Sequence, residues 1–188
     1  GSEMCIRDRF ETAHPFLDGN GRLGRLLITL MLINDGVLHS CLFYPSFQFK
    51  KNRSEYYRQL TSVRERGTYE EWIEFFCNSL LESAKDSVGS LKNLVDLHNR
   101  STATITENLG RTAANGQRLL GILEEHPIVD TAFIAAQLDI GRSTASSLVK
   151  SFEELGILRP LDESRQRYRQ YGYEEYLSIL REDAEPIR

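Results

Sequence analysis

The sequence predicts a mainly α-helical protein in two parts, the second of which closes with a small β-hairpin. Three observations predict it. Apolar residues recur at helical spacing over most of the chain. A glycine- and small-residue stretch at 108–116 interrupts that rhythm. Beyond it the helical segments shorten and give way to two extended ones. At 188 residues, 40% hydrophobic and 27% charged, the chain can bury one sizeable core or two small ones.

The first helical pattern starts at Leu23 and continues through Leu26, Leu27, Leu30, Met31, Leu32 and Ile33, with Gly36 as its stop. Residues 37–49 read as a loop broken by Pro45. A second helix is predicted over 52–65, with Tyr56, Tyr57, Leu60 and Val63 on one side and Gly67 at its end. Thr68, followed three residues later by Glu71, reads as a capping box. The helix it opens carries Trp72, Ile73, Phe76, Leu80 and Leu81, and Trp72, Phe75 and Phe76 read as core. Residues 86–108 are more polar but keep the rhythm, as a long, partly exposed connecting helix. The domains are therefore predicted as 1–108 and 109–188.

In the second part, a short helix over 117–123 ends near His126–Pro127, and another covers 131–138. Asp139, Ile140 and Gly141 form a tight turn. Ser143 caps a helix with Ala145, Leu148, Val149, Phe152 and Leu155 inward, and Gly156 ends it. Residues 157–161 and 168–171 read as two strands joined by a polar segment. Helix, helix, turn, helix, hairpin is the order of a winged helix-turn-helix domain.

Charge and composition exclude several classes. The net charge is −4, from 23 basic and 27 acidic side chains, so neither half is a basic, nucleic-acid-seeking domain in bulk. Apolar runs are only a few residues long, and no membrane-spanning segment is predicted. The three cysteines, Cys5, Cys41 and Cys77, are widely spaced. They point to a reducing cytoplasm rather than a disulfide framework or zinc site.

The chemistry concentrates in His14-Pro15-Phe16-Leu17-Asp18-Gly19-Asn20-Gly21-Arg22-Leu23-Gly24-Arg25. Gly19, Asn20 and Gly21 can take positive φ, so that successive backbone N–H groups make an anion nest. The helix that follows adds its positive N-terminus. Arg22 and Arg25, at i and i+3, can reach the same polyanion. Asp18 supplies a hard oxygen ligand suited to Mg²⁺ shared with phosphates, and His14 a proton acceptor near neutral pH. The set points to nucleotide phosphate binding with phosphoryl or nucleotidyl transfer. No Gly-Lys-Ser/Thr follows the glycines, so it is not a P-loop.

This stretch resembles the signature of the bacterial Fic family, H-x-F-x-[D/E]-G-N-G-R-x-x-R, at every specified position. Residues 52–57 and 67–76 are similar to the helices that follow the signature there, and a trailing winged helix is also common in that family. The resemblance implies a Fic-type helical bundle followed by a winged helix, and transfer of AMP from ATP to a Tyr, Ser or Thr hydroxyl of a target protein. By position, His14 is implied as general base and Asp18 as the Mg²⁺ ligand. Gly19, Asn20 and Gly21 are implied as the phosphate cradle, with Asn20 also orienting the phosphates. Arg22 and Arg25 are implied on the β- and γ-phosphates, and Phe16 as a buried anchor. Only 13 residues precede His14, where the family carries several helices and a β-hairpin flap. The expectation is the C-terminal part of a Fic domain, weak or inactive alone.

A second function class stays open, in which the winged helix is the working part. Arg142, Ser143, Thr144, Ser146, Ser147 and Lys150 could face a DNA groove, with Arg165, Arg167 and Arg169 as a basic wing. Against it, residues 115–170 hold 7 basic and 8 acidic side chains, which weakens non-specific affinity. Homodimerisation or target docking is an equal reading of this part.

Overall fold

The computed structural model describes residues 9–10, 13–38, 45–162 and 169–182. They form two compact units, one through Gly89 and one from Ser90. Both are mainly helical, and the second carries a small three-stranded sheet. No helix among the described residues is long and apolar enough to cross a membrane.

The first unit holds helices α1 (Asn20–Asn34), α2 (Pro45–Lys51) and α3 (Arg53–Arg66), and the start of α4 (Tyr69–Asn108). α1 begins three residues before the apolar pattern does. It buries a line of every fourth residue, Asn20, Gly24 and Ile28, while Leu23, Leu26 and Leu30 remain exposed. α2 corrects the last part, 45–49, of the loop expected over 37–49; residues 39–44 lie outside the described residues. Pro45 opens this helix instead of breaking structure, because the first helical position needs no N–H donor and suits proline's fixed φ. Lys50 and Lys51 occupy its last turn, where the helix dipole favours cations.

α3 stops at Gly67, which turns left-handed at φ 69° and donates its N–H to Val63 O at 3.0 Å. Phe49, Tyr56 and Trp72 are each 3% exposed or less. Together with Ile28 and Val63 they form the core of this unit, with Phe75, Phe76 and Leu80 packed against it. Phe49 stacks on Phe76 with centroids 5.6 Å apart, and Tyr56 meets Trp72 edge-on at 5.6 Å. Such pairs add about 0.5–1.5 kcal/mol each beyond area burial.

The polar stretch beginning at Asp86 does not interrupt α4, which runs for 40 residues. Its hydroxyls bond back to the preceding turn: Ser79 Oγ donates to Phe75 O at 2.9 Å and Ser87 Oγ to Ser83 O at 3.0 Å. That satisfies side chains that would otherwise compete with the helix.

The second unit takes the rest of α4, a 3₁₀ turn (Gly110–Thr112), α5 (Ala113–Glu125), β1 (Ile128–Asp130) and α6 (Thr131–Leu138). It continues with α7 (Arg142–Glu154), β2 (Arg159–Pro160), β3 (Gln170–Gly172) and α8 (Glu174–Glu182). Leu97 and Ile105 of α4 join Leu119, Leu123, Ile134, Leu148, Phe152 and Leu158 in its core. The segment expected as a connector therefore packs as part of this unit. α6 keeps the expected bounds and is capped by Asp130, whose carboxylate accepts Phe133 N–H at 2.7 Å. α7 begins at Arg142 after Gly141, so Ser143 lies inside the helix rather than at its cap.

The sheet order is β1-β3-β2, all antiparallel, with Val129 and Pro160 both opposite Tyr171. β1 is the strand the sequence did not signal; it occupies only three residues after His126–Pro127. Residues 163–168, including most of the polar connection and the expected start of the second strand, lie outside the described residues.

Two glycines of α5 separate packing from propensity. A Cβ on Gly116 would come within 2.8 Å of Ile105 Cγ2 and of Leu109 Cδ1, whereas one on Gly121 would meet nothing within 4 Å. Gly116→Ala is expected to destabilise the chain by about 1–3 kcal/mol through overpacking. Gly121→Ala is expected to stabilise it by about 0.5–1 kcal/mol through helix propensity. Urea denaturation of the two variants checks the opposite signs.

Candidate functional site

The conspicuous backbone lies just ahead of α1. His14 sits at φ 44°, in the left-handed region that a residue with a Cβ seldom adopts. Its N–H donates to Phe10 O at 3.1 Å. Five residues on, Gly19 reverses the chain again at φ 84° and starts α1, with its carbonyl accepting Leu23 N–H at 2.9 Å. Between these reversals the loop is exposed at His14, Pro15, Phe16, Leu17 and Asp18.

The loop is held by Asn20, which is 2% exposed. Its Oδ1 accepts Phe16 N–H at 3.0 Å, and its Nδ2 donates to Phe16 O at 2.5 Å. Both polar ends of one side chain thus engage both polar groups of one residue's backbone. Of the three residues expected to form a nest by positive φ, only Gly19 adopts it. Asn20 and Gly21 are the first residues of α1. The anion-binding potential there is that of a helix N-terminus, whose first N–H groups lack partners within the helix.

Asp18 Oδ1 accepts Gly19 N–H at 2.6 Å, and Oδ2 pairs with the Arg22 guanidinium at 3.2 Å. These two side chains are 92% and 75% exposed, so the pair contributes only about 0–1 kcal/mol. Arg25, one turn on, is half-buried. Among the described residues no group of three or more His, Cys, Asp or Glu side chains is gathered to hold a metal. One exposed carboxylate is nonetheless the donor set that suits Mg²⁺ completed by substrate phosphates.

The Fic/DOC family model matches residues 5–32, which take in the loop and most of α1. Over 56 residues, 30% of the chain, the sequence is 38% identical to a probable protein adenylyltransferase of Aquifex aeolicus (strain VF5). That match spans 15% of the relative's length. Residues 5–32 thus form a segment that matches the Fic/DOC family.

Within this Fic segment, one loop and the first two turns of α1 carry His14, Asp18, Gly19, Asn20, Gly21, Arg22 and Arg25. Phe16 departs from the expected buried anchor: the residue is 51% exposed, and its ring centroid lies 6.4 Å from that of Phe10. What anchors the loop is the backbone of Phe16, through Asn20. Sequence reading missed this because an asparagine at a helix start serves equally as ligand contact or backbone clamp. On α7, Arg142 and Lys150 are exposed, and Lys150 lies 3.8 Å from Glu154. Arg165 and Arg167 lie outside the described residues.

The left-handed backbone at His14 costs about 1–2 kcal/mol relative to glycine. Replacing His14 by glycine should therefore leave a chain about 1 kcal/mol more stable than the His14→Ala variant. Thermal melts of the two variants compare them directly, and an equal or reversed order would contradict the strain. Asp18→Ala should change stability by less than about 1 kcal/mol.

Proposed function

We propose that this Fic segment belongs to an enzyme that transfers AMP from ATP to a hydroxyl side chain of a target protein. The observation that supports the reading is that one loop and the first two turns of α1 carry a histidine, an exposed carboxylate and two arginines. Attack at phosphorus needs charge neutralisation and alignment more than covalent help from the protein. The start of α1 and the backbone N–H groups of Asn20 and Gly21 would receive phosphate oxygens, and the Gly19 N–H would join them on leaving Asp18 Oδ1. Arg22 and Arg25 would neutralise the β- and γ-phosphates. His14 would take the proton of the target Tyr, Ser or Thr hydroxyl as its oxygen bonds to the α-phosphorus. The bond from that phosphorus to the bridging oxygen would break, and pyrophosphate would leave. Asp18 would hold Mg²⁺, which when bound supplies positive charge against the α- and β-phosphates. Engaging an anion frees Asp18 for that role, because Arg22 now spends its charge on Asp18.

We propose that residues 109–188 form a winged-helix module acting in the cytoplasm, with residues 90–108 of α4 packed in the same compact unit. The sequence α6, turn, α7 and the β2–β3 pairing supports that reading. Its exposed α7 face, Arg142, Ser143, Thr144, Ser146, Ser147 and Lys150, is short in charge and fits protein docking better than strong DNA binding. Sequence-selective, salt-dependent retention of a DNA probe, lost in Arg142→Ala, would reverse that preference.

The AMP-transfer reading is tested by binding of ATP with Mg²⁺ to the whole chain, followed by calorimetry. Asp18→Ala and Arg25→Ala should each weaken binding by about tenfold, the size of one lost charge-assisted interaction. Unchanged affinity in both variants would remove the assignment.

A further inference from the structure

We infer that the Asn20 side chain is a positioning residue: it sets the shape of the loop bearing His14 and Asp18, and touches no phosphate. Its consequence for nucleotide binding rests on the reading above; its structural half rests on geometry alone. A primary amide can donate two hydrogen bonds and accept two. Here the acceptor end takes Phe16 N–H at 3.0 Å and the donor end gives to Phe16 O at 2.5 Å. The side chain is 2% exposed, so it has no face turned to a ligand arriving from solvent. What it holds is main chain, and the main chain it holds is the loop.

The clamp joins residue 16 to residue 20 and so closes a ring around Leu17, Asp18 and Gly19. Leu17 and Asp18 are almost wholly exposed, so packing of their side chains does not fix the loop. Without the clamp, Asp18 would keep only its own bond to Gly19 N–H and an ion pair in solvent. Such an ion pair cannot define a loop. Arg22 and Arg25 are placed differently, because α1 itself carries them. Asn20 should therefore matter for what the loop contributes, the Asp18 carboxylate, and little for what the helix contributes, the arginines.

Two probes separate these contributions: ATP with Mg²⁺, which uses the loop, and inorganic triphosphate without metal, which uses the helix. In Asn20→Ala the Phe16 amide should exchange with solvent about tenfold faster than in wild type, the effect of a lost hydrogen bond. Affinity for ATP with Mg²⁺ should fall by about tenfold, while affinity for triphosphate should stay within about twofold. Asn20→Asp keeps an acceptor for Phe16 N–H and loses the donor, so its Phe16 exchange should be intermediate. That variant also keeps the test open should Asn20→Ala fold poorly. Equal losses for both probes, with Phe16 exchange unchanged, would make Asn20 a phosphate contact and overturn the inference. Faster exchange throughout the first unit, with a lower melting temperature and equal losses for both probes, would make it merely structural and overturn it as well. A wild-type chain that binds neither probe would sink the nucleotide reading alone. The Phe16 exchange series would then still decide whether Asn20 clamps the loop.

Discussion

The first unit depends chemically on where α1 begins, and a single buried amide sets that point. Asn20 is the first residue of the helix and lies in its interior-facing line with Gly24 and Ile28. A polar group removed from water must find partners, and the nearest ones are the N–H and carbonyl of Phe16. Satisfying the amide therefore bends residues 16–20 into one closed loop. Gly19 makes that bend affordable in steric terms, since its left-handed φ carries no Cβ penalty. His14 adopts a similar backbone without that exemption. The strain at His14 persists because Phe10 O holds its N–H on one side and the clamped loop limits it on the other.

The Fic/DOC match of residues 5–32 was legible from the sequence because it depends on residue types in a fixed order. The direction in which Asn20 points was not, since an amide between two glycines fits either role. Phe16 was misread for a related reason: an aromatic beside a polar loop suggests a buried ring, yet here only its backbone is held. Pro45 suggested a break and instead begins a helix, a position where proline is at home. β1 is three residues long and leaves no alternating pattern to detect. The halves of α4 look like two elements because its polar stretch differs in texture. The backbone runs through, with Ser79 and Ser87 satisfied within the helix.

The second unit shows the same use of buried polar groups. Tyr173 is 1% exposed, and its hydroxyl shares a 2.8 Å hydrogen bond with Ser101 of α4. Burial pushes its phenol above the usual range, so it stays neutral and keeps that bond. Tyr176, stacked on Tyr173 at 5.5 Å, donates to Glu124 O at 3.1 Å. Arg100 reaches Glu175 at 2.8 Å. α8 is thereby tied to α4 and α5 by directional bonds as well as by Ile179 in the core. Residues 86–108 read as a long, partly exposed connecting helix because those polar partners are far away in sequence.

Rigidity and lability are thus assigned to different residues of the same loop. The Asn20 amide is neutral and buried, and breaking its two bonds leaves polar groups unsatisfied, at about 1–3 kcal/mol each. The Asp18–Arg22 pair is charged and exposed, and giving it up costs about 0–1 kcal/mol because water replaces each partner. On the proposed reading, an arriving polyanion would take Arg22 from Asp18 at little expense while the loop keeps its shape. Had the clamp been the ion pair and the exposed link the amide, an anion would have dismantled the loop on binding. A neutral buried link supporting exchangeable charges is the arrangement that would let a helix N-terminus receive an anion without rebuilding itself.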